Sequence, residues 1–490
     1  MPSAELLSYR LIFGRRGEMA AVVQPKDGAS TSQALSVFNA LLPANVVEEL
    51  VAGTSKRFYD RIYSPLVVVW CLIFQRLNAD HACDAIVSHI GSGAIDHLSD
   101  RHRVRLSMRI RSVSTAACCR ARQRLPLSVI EGVLAHFAEV ADSYLPSHAC
   151  WMGLRVALLD GTTFTLRPQK ELVNEFGQAS NQHGVPYWVT MRAVAAFGLT
   201  SGALMAVANA AYRVSEQILA KPVLAKLPAG TVIVGDRNFG VYSVAQSARH
   251  CGHLVLFRLK SDVAHAMIAR RTMCPDEEVV VRWKPGKGAM SHTEMSQEPV
   301  EGRLLYKHLE RDGFRAIDLY LFTTLMDASR YTLEELVILY GHRWNVELDL
   351  RYVKTTLDMN LLTGKSPDVV RKELAAGLAA YNLVRICMLL AAQASGVSPA
   401  KLSFAKCRRR VRDCLNSFPN PAAVRQNAEH MCMFIPIGRR LETCILQRRP
   451  RFRIEPRAVH RRPQAYSTLR GSRAYARRMI LEEDEMATKS

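Results

Sequence analysis

The sequence lacks an uninterrupted apolar run of the roughly 20 residues that a membrane-spanning helix needs. The apolar run at 66–74 is far shorter, and the longer apolar stretch at 374–391 is interrupted by Asn382 and Arg385. The basic N-terminal segment has no long apolar core followed by a small-residue cleavage site, so it does not resemble a secretory signal. We therefore expect a protein that neither spans a membrane nor carries a secretory signal.

Its 12 cysteines form no framework of regular spacing. A chain of this size does not depend on disulfides, so we expect free thiols in a reducing compartment, the cytoplasm. His250, Cys251 and His253 lie close together but do not complete the ligand spacing of a structural zinc site. The sequence also has no G-x-S-x-G elbow for a serine nucleophile. Neither zinc binding nor serine catalysis is predicted.

Acidic residues are in short supply as well. Lys and Arg number 65 against 44 Asp and Glu, which gives a formal net charge of +21. This excess predicts a polyanionic partner, with nucleic acid as the first candidate and an anionic membrane surface as the second. Apolar residues make up 49% of the 490 residues, so the chain can build packed cores.

Hydrophobic periodicity divides the chain into regions of different secondary structure. The apolar spacing is helical before residue 150, β-rich runs then alternate with helices, and helical periodicity resumes at 332 after a β-rich interruption. We predict an α/β fold class with an all-helical N-terminal domain and a helical, Arg-rich C-terminal region. The predicted boundaries are 1–30 for a flexible extension, 31–150 for the helical DNA-binding domain, 151–260 and 328–395 for the two parts of the α/β core, 261–327 for the β-rich insertion, and 396–490 for the C-terminal region with its basic tail.

Two aspartates follow apolar runs of the predicted α/β core. Asp160 ends the run in LRVALLDG, and Asp236 ends the run in TVIVGDRNFG. Open α/β sheets place their chemistry at the carboxyl ends of strands, and clustered carboxylates can hold divalent ions beside a phosphodiester. An aspartate at the end of a strand is also common in a turn or a helix cap, so these two positions alone leave both interpretations open.

A third element has a more specific spacing. Residues 340–354 read YGHRWNVELDLRYVK, in which Y-x2-R-x3-E-x6-K joins Tyr340, Arg343, Glu347 and Lys354. At about 100° per residue, a regular helix places these four side chains on one narrow face, with Asp349 roughly opposite Glu347. An ordinary ion-pair face on a solvated helix requires only one acid and one base. The additional Tyr and Arg on the same face therefore favour a functional role.

With these motifs the sequence resembles a DDE transposase of the insertion sequence four (IS-four) type, over about residues 38–469. The family's three acids fall on Asp160, Asp236 and Glu347. Asn238 is a departure, since Gly is usual after the Asp-Arg pair, but Asn tolerates left-handed backbone angles and Asp236 is kept as the second acid. Further similar stretches are ARQRLP at 121–126, NEFGQASNQHG at 174–184, AAYNLVR at 379–385 and RRPQAY at 461–466.

The resemblance implies a ribonuclease H-like core, interrupted by the β-rich insertion, whose three acids bind Mg²⁺, with Mn²⁺ as a substitute. It also implies cleavage of double-stranded DNA at terminal inverted repeats and strand transfer to target DNA, by a homodimer in a synaptic complex at the nucleoid. A base flipped out of the DNA would stack on an aromatic side chain. The DNA-binding candidates are Tyr340, Arg343, Lys354, Arg237 and Trp344, with Trp283 as a second stacking candidate.

Two other interpretations use the same residues. A decayed or domesticated relative would bind DNA sequence-specifically without cutting it, although the presence of all three acids argues against such drift. A plain Mg²⁺-dependent nuclease would cut DNA without strand transfer. Because the two enzymes share the same acids, only an assay that scores joined products separates the nuclease from a transposase.

Overall fold

The computed structural model describes residues 41–416 with short gaps, together with 444–446 and a few residues near the C-terminus. The gaps are 57, 59–61, 79, 94, 99–104, 146–148, 180–185, 287–297 and 311–315, and the C-terminal residues are 472, 474–475, 478–479 and 481–482. The predicted extension at 1–30 and most of the predicted basic tail lie outside the described residues. The chain divides into two compact units, Met1–His308 with Asp318–Ile454 and Leu309–Ile317 with Glu455–Ser490.

Helices fill the first part of the described chain, as the apolar spacing predicts. They are α1 (Ala44–Ala52), α2 (Pro65–Leu77), α3 (Cys83–Gly91), α4 (Leu106–Arg109), α5 (Ala116–Arg124) and α6 (Leu127–Ser143). Helix α2 begins after the N-cap Ser64, whose side chain accepts a hydrogen bond from the Val67 N–H. Every residue of α2 from Val67 to Leu77 is buried, so α2 is a core helix.

A mixed sheet, nine-stranded in the described residues, follows and confirms the α/β fold class. Its strands are β1 (Val156–Leu166), β2 (Val189–Gly198), β3 (Leu204–Ala211), β4 (Val232–Gly235), β5 (Leu254–Arg258), β6 (Glu278–Trp283), β7 (Val300–Leu309), β8 (Ile317–Thr323) and β9 (Leu361–Leu362). Their spatial order is β3-β2-β1-β4-β5-β8-β7-β6, with β9 beside β1. Strand β1 is antiparallel to β2 but parallel to β4, and β4 is parallel to β5.

Three helices connect strands of the first half of this sheet: α7 (Lys170–Phe176), α8 (Glu216–Leu224) and α9 (Tyr242–His250). A fourth, α10 (Ser261–Met267), connects β5 to β6. Helix α8 begins after the N-cap Ser215, whose side chain accepts a hydrogen bond from the Ile218 N–H. The apolar residues of α8 and α9, such as Val223 and Val244, are buried with Leu159 of β1 in one core cluster. The start of α8 thereby lies over the strands that carry the two aspartates.

Strand β1 does not end at Asp160, contrary to the prediction. It continues to Leu166, because it stays paired with the antiparallel β2 as far as that residue and with β9 at its last two residues. Only the parallel pairing with β4 ends at this point, where Leu159 lies opposite Gly235. Asp160 and Asp236 are therefore the next residues of two neighbouring parallel strands.

The region predicted as a β-rich insertion contributes β6, β7 and β8, and also helix α10, which the sequence pattern did not indicate. Its three strands continue the main sheet beyond β5, because β8 pairs with β5. Trp283 on β6 is only 6% exposed, and its ring packs edge-on against Tyr242 and Phe322. This burial disfavours Trp283 as a stacking partner for a flipped base, because a stacking ring has to be accessible to the base.

The Y-R-E-K segment is not one regular helix, so the single-face projection is wrong for its two ends. Helix α11 (Leu333–Gly341) starts with a capping box of Thr332 and Glu335 and is separated by a turn from α12 (Trp344–Arg351). The turn is closed by hydrogen bonds to carbonyls three residues earlier, not four as in an α-helix. The backbone N–H donors are those of His342, Arg343, Asn345 and Val346. A π-helical segment, Tyr352–Thr356, follows α12.

Helix α13 (Pro367–Ser395), which spans 29 residues, is the central helix of the first unit. It packs against α2, α6, β3 and β9, and against α14 (Phe404–Asn416). By length and composition α13 could cross a membrane, but 94% of its most apolar window is buried inside the protein. Helix α13 thus has the surroundings of a core helix.

Two buried ion pairs hold charged residues of α13. The Glu373 carboxylate pairs with Arg76 of α2 and accepts hydrogen bonds from the backbone N–H groups of Thr363 (2.9 Å) and Gly364 (2.8 Å). Arg385 pairs with Asp349 of α12. Asp349 therefore points towards α13 and away from the side of α12 that carries Glu347. The helical projection of the sequence predicts this opposite orientation.

We expect Glu373→Ala to lower the free energy of unfolding by about 3–5 kcal/mol, because it leaves the buried Arg76 guanidinium without its carboxylate partner. Urea titration monitored by circular dichroism measures this loss. The matched control is Glu301→Ala, which breaks a pair with Arg282 whose side chains are 62% and 66% exposed. We expect the control to cost less than about 1 kcal/mol. Equal losses in the two variants would contradict a structural role for the buried pair.

Candidate active site

Asp160 and Asp236 lie side by side where the parallel pairing of β1 and β4 ends. The Asp160 Oδ1 accepts a hydrogen bond from the Gly161 N–H at 2.8 Å, and the Asp236 Oδ1 accepts one from the Asn238 N–H at 2.8 Å. The Asp236 carbonyl also accepts from the Gly240 N–H at 3.0 Å, which closes a tight turn after β4. Strand register and turn geometry thus present both carboxylates at one edge of the sheet.

Arg343 connects the first acid to the third. Its Nη2 donates to the Glu347 Oε1 at 2.8 Å, and its Nη1 lies 3.6 Å from the Asp160 Oδ2. Arg343 immediately precedes α12 and Glu347 lies in the first turn, so the two side chains keep the i,i+4 spacing of one helix face. The structure therefore brings the predicted acids into one region, with Arg343 between Asp160 and Glu347.

The electrostatics of this region disfavour additional negative charge. Burial raises the pKa of Asp160 to about 7; Arg343 opposes this rise, while the nearby carboxylates of Asp236 and Glu347 add to it. Arg343 thus offsets the effect of burial on Asp160 only in part. A site with surplus carboxylate charge favours the binding of a cation.

The other two motif residues are less exposed than Arg237. Tyr340 is buried at the end of α11, where its hydroxyl hydrogen-bonds Arg258, and burial raises its pKa. Lys354 is half-buried in the π-helical segment, and burial lowers the pKa of its ammonium group. Tyr340 is therefore positioned to support the charged residues around the acids.

Arg237 and Trp344 are more open. Arg237 is exposed in the turn that follows Asp236. Trp344 is partly exposed at the start of α12, and the Arg343 guanidinium carbon lies 5.8 Å from the centroid of its ring, within cation–π distance. Both side chains belong to the segments that carry the second and third acids.

The structure adds three residues that sequence reasoning missed. Arg258 ends β5 beside Tyr340, and Glu216 and Gln217 begin α8 and contact the turn after Asp236. The Ser215 N-cap signal located the start of α8. The sequence gave no sign that this helix end meets the aspartates, because that contact depends on how α8 crosses the sheet.

The donor set suits a hard divalent cation, because three carboxylates supply the oxygen ligands that Mg²⁺ and Mn²⁺ prefer. Among the described residues, no three His, Cys, Asp or Glu side chains are arranged closely enough to hold a metal ion in this structure. Arg343 instead contacts two of the three acids. The three carboxylates would therefore suit a divalent ion in chemistry, with Arg343 as their neighbour.

Comparison with known proteins finds one matching family model and two similar relatives. Residues 151–383 match the family described as "Transposase DDE domain". The chain is 28% identical over 351 residues to "Transposase InsG for insertion sequence element IS4" of Escherichia coli (strain K12), covering 69% of this chain and 73% of the relative. It is also 26% identical over 201 residues to InsZ of the same organism, covering 39% of this chain and 65% of that protein. The predicted resemblance is confirmed.

The raised pKa of Asp160 makes the stability of the metal-free protein depend on pH. The folded protein keeps a proton on Asp160 up to about pH 7, whereas the unfolded chain loses it near its ordinary value of about 4. The stability from this proton is complete below about pH 4 and is lost as the pH rises through about 7.

Asp160→Asn cannot ionise, so in EDTA we expect it to melt close to the wild type at about pH 5 and at a higher temperature than the wild type at about pH 8. Differential scanning calorimetry at the two pH values measures the difference. A melting difference that is the same at both pH values would show that Asp160 titrates in its ordinary range.

Proposed function

Since the chain is a DDE transposase of the IS4 type, we propose that it cuts DNA at the terminal inverted repeats of an insertion sequence and joins the ends to target DNA. The observation that carries this proposal is the strand register that sets Asp160 beside Asp236, together with the contacts of Arg343 to Asp160 and Glu347. Three acids from distant parts of the sequence converge on one edge of the sheet. We assign them as the catalytic triad.

Asp160, Asp236 and Glu347 would hold Mg²⁺, for which Mn²⁺ would substitute. A bound divalent ion activates a water molecule or a 3′-hydroxyl as nucleophile and stabilises charge on the leaving oxygen. Arg343 holds the charges of Asp160 and Glu347 together in the metal-free protein. Its guanidinium is then beside the acids and suited to a bidentate contact with a DNA phosphate.

Several basic and aromatic residues would contact DNA. Arg237 is exposed next to the second acid, Lys354 follows the third acid, and Trp344 offers a partly exposed ring. Tyr340 would act by holding Arg258, given its burial. Residues 31–150 and the basic tail would add affinity through contacts with DNA phosphates. This affinity would fall steeply with salt concentration, because each phosphate contact releases counterions.

The wider assignments follow from the same family. The half-sheet β3-β2-β1-β4-β5, antiparallel on one side of β1 and parallel on the other, supports a ribonuclease H-like core. We propose that residues 151–260 and 328–395 form that core and that 261–327 are its insertion. Joining two ends requires them to be held together, which a homodimer in a synaptic complex would do, in the cytoplasm at the nucleoid.

The test is cleavage of linear DNA that carries the flanking inverted repeat, with and without Mg²⁺, by the wild type and by Asp160→Ala, Asp236→Ala and Glu347→Ala. We expect each substitution to lower cleavage by about a thousandfold or more, since losing metal-mediated charge stabilisation costs several kcal/mol. Binding to the same DNA, measured by mobility shift, should persist. Joined products should appear only with the wild type.

The matched control is Asp262→Ala, which removes an exposed carboxylate from the first turn of α10 and should cleave like the wild type. Wild-type binding without cleavage would favour a DNA-binding relative that no longer cuts. Cleavage without joined products would identify a nuclease, and cleavage that survives one of the three substitutions would remove that acid from the triad.

A further inference from the structure

A fourth carboxylate lies against the first two acids. Glu216 is the first residue of α8, and its side chain lies over Gly161, the residue after Asp160. A Cβ atom on Gly161 would lie 2.2 Å from the Glu216 carboxyl carbon and 2.5 Å from each carboxyl oxygen. Gly161 is therefore the residue that permits this close approach, and any other side chain there would displace Glu216.

Glu216 is joined to the second acid through Asn238. The Asn238 side-chain amide donates to the Glu216 Oε2, and the Gln217 Nε2 donates to the Asn238 Oδ1 at 2.6 Å and to the Asn238 carbonyl at 2.9 Å. The Asn238 backbone N–H in turn donates to the Asp236 Oδ1 at 2.8 Å. The first two residues of α8 thus form hydrogen bonds to both the side chain and the backbone of Asn238. Asn238 in turn forms a hydrogen bond to the Asp236 carboxylate.

The charges around Glu216 agree with this geometry. Burial raises the pKa of Glu216; Arg192 opposes the rise and Asp236 adds to it. Arg192 is itself fixed, because its Nη1 donates to the Val214 carbonyl at 3.0 Å just before α8. Glu216 is therefore within electrostatic range of the second acid but is held by its own partners.

We propose that Glu216 is a positioning residue for Asp236: it fixes Asn238, and Asn238 fixes the orientation of the Asp236 carboxylate beside Asp160. This inference rests on the proposed function for the role of Asp236, but the hydrogen-bond relay itself does not. Groups that orient a metal-binding carboxylate commonly change metal affinity or activity by about 10- to 100-fold when they are removed. Glu216 thus orients the Asp236 carboxylate and is not itself a metal ligand.

The experiment compares Glu216→Ala, Glu216→Gln, Asn238→Ala and the double variant Glu216→Ala/Asn238→Ala in the full-length protein. Glu171→Ala, which removes an exposed carboxylate from the first turn of α7, is the matched control. Mn²⁺ binding is measured by electron paramagnetic resonance of the free ion, and DNA cleavage is titrated with Mn²⁺. Thermal melting reports whether each variant is folded.

Positioning predicts that Glu216→Ala and Asn238→Ala each weaken Mn²⁺ binding by about 10- to 100-fold and that the double variant is no weaker than either. Glu216→Gln should retain near wild-type binding, because its amide oxygen still accepts from Asn238. If Glu216→Gln is as defective as Glu216→Ala while Asn238→Ala is near wild type, Glu216 is a direct ligand and the proposal is overturned. Losses that add in the double variant overturn it too.

A second readout does not depend on metal or DNA. Selective ¹⁵N-Asn labelling follows the Asn238 backbone amide, whose N–H donates to Asp236. We expect Glu216→Ala to shift this resonance upfield as the bond loosens, and Glu216→Gln to leave it near its wild-type position. An unchanged resonance in Glu216→Ala would refute the relay. A wild type that neither binds Mn²⁺ nor cuts DNA would refute the proposed function while this shift still tests the relay.

Discussion

Helix α13 is largely apolar and almost wholly buried, so the rest of the first unit has to cover it on all sides. Helices α2 and α6 cover it from the N-terminal part of the chain, β3 and β9 from the sheet, and α14 from the C-terminal part. Charged groups on such a helix need partners, because a buried charge without one is strongly destabilising. Glu373 and Arg385 find partners in α2 and α12, and these two pairs set how both helices meet the core.

The same arrangement positions the third acid. Helix α12 is tied to α13 through Asp349 and Arg385, and it presents Glu347 to Arg343 and the sheet. The first two acids depend on a different constraint, the register of β1 against β4. The three acids are thus brought together from a sheet edge and from a short helix that is tied to the buried core behind it.

Local patterns were sufficient to predict the α/β class and the helical region before residue 150, because each depends on neighbouring residues. They failed where pairing with distant residues decides the outcome: β1 runs past Asp160 because β2 pairs with it, and the Y-R-E-K segment breaks at a turn and a π-helical segment. The family resemblance located the acids but not Glu216. It also flagged Asn238 as unusual, and the structure gives that side chain partners in Glu216 and Gln217.

The burial of α13 also bears on damaged copies of the gene. A product that began near residue 151 would keep the whole matched DDE region but lose α2 and α6, which cover one side of α13. The uncovered surface belongs to a helix long and apolar enough to resemble a membrane span. We expect such a fragment to sediment with aggregates or membranes rather than to stay in solution. Shortened products of this kind would then be inactive because they are insoluble.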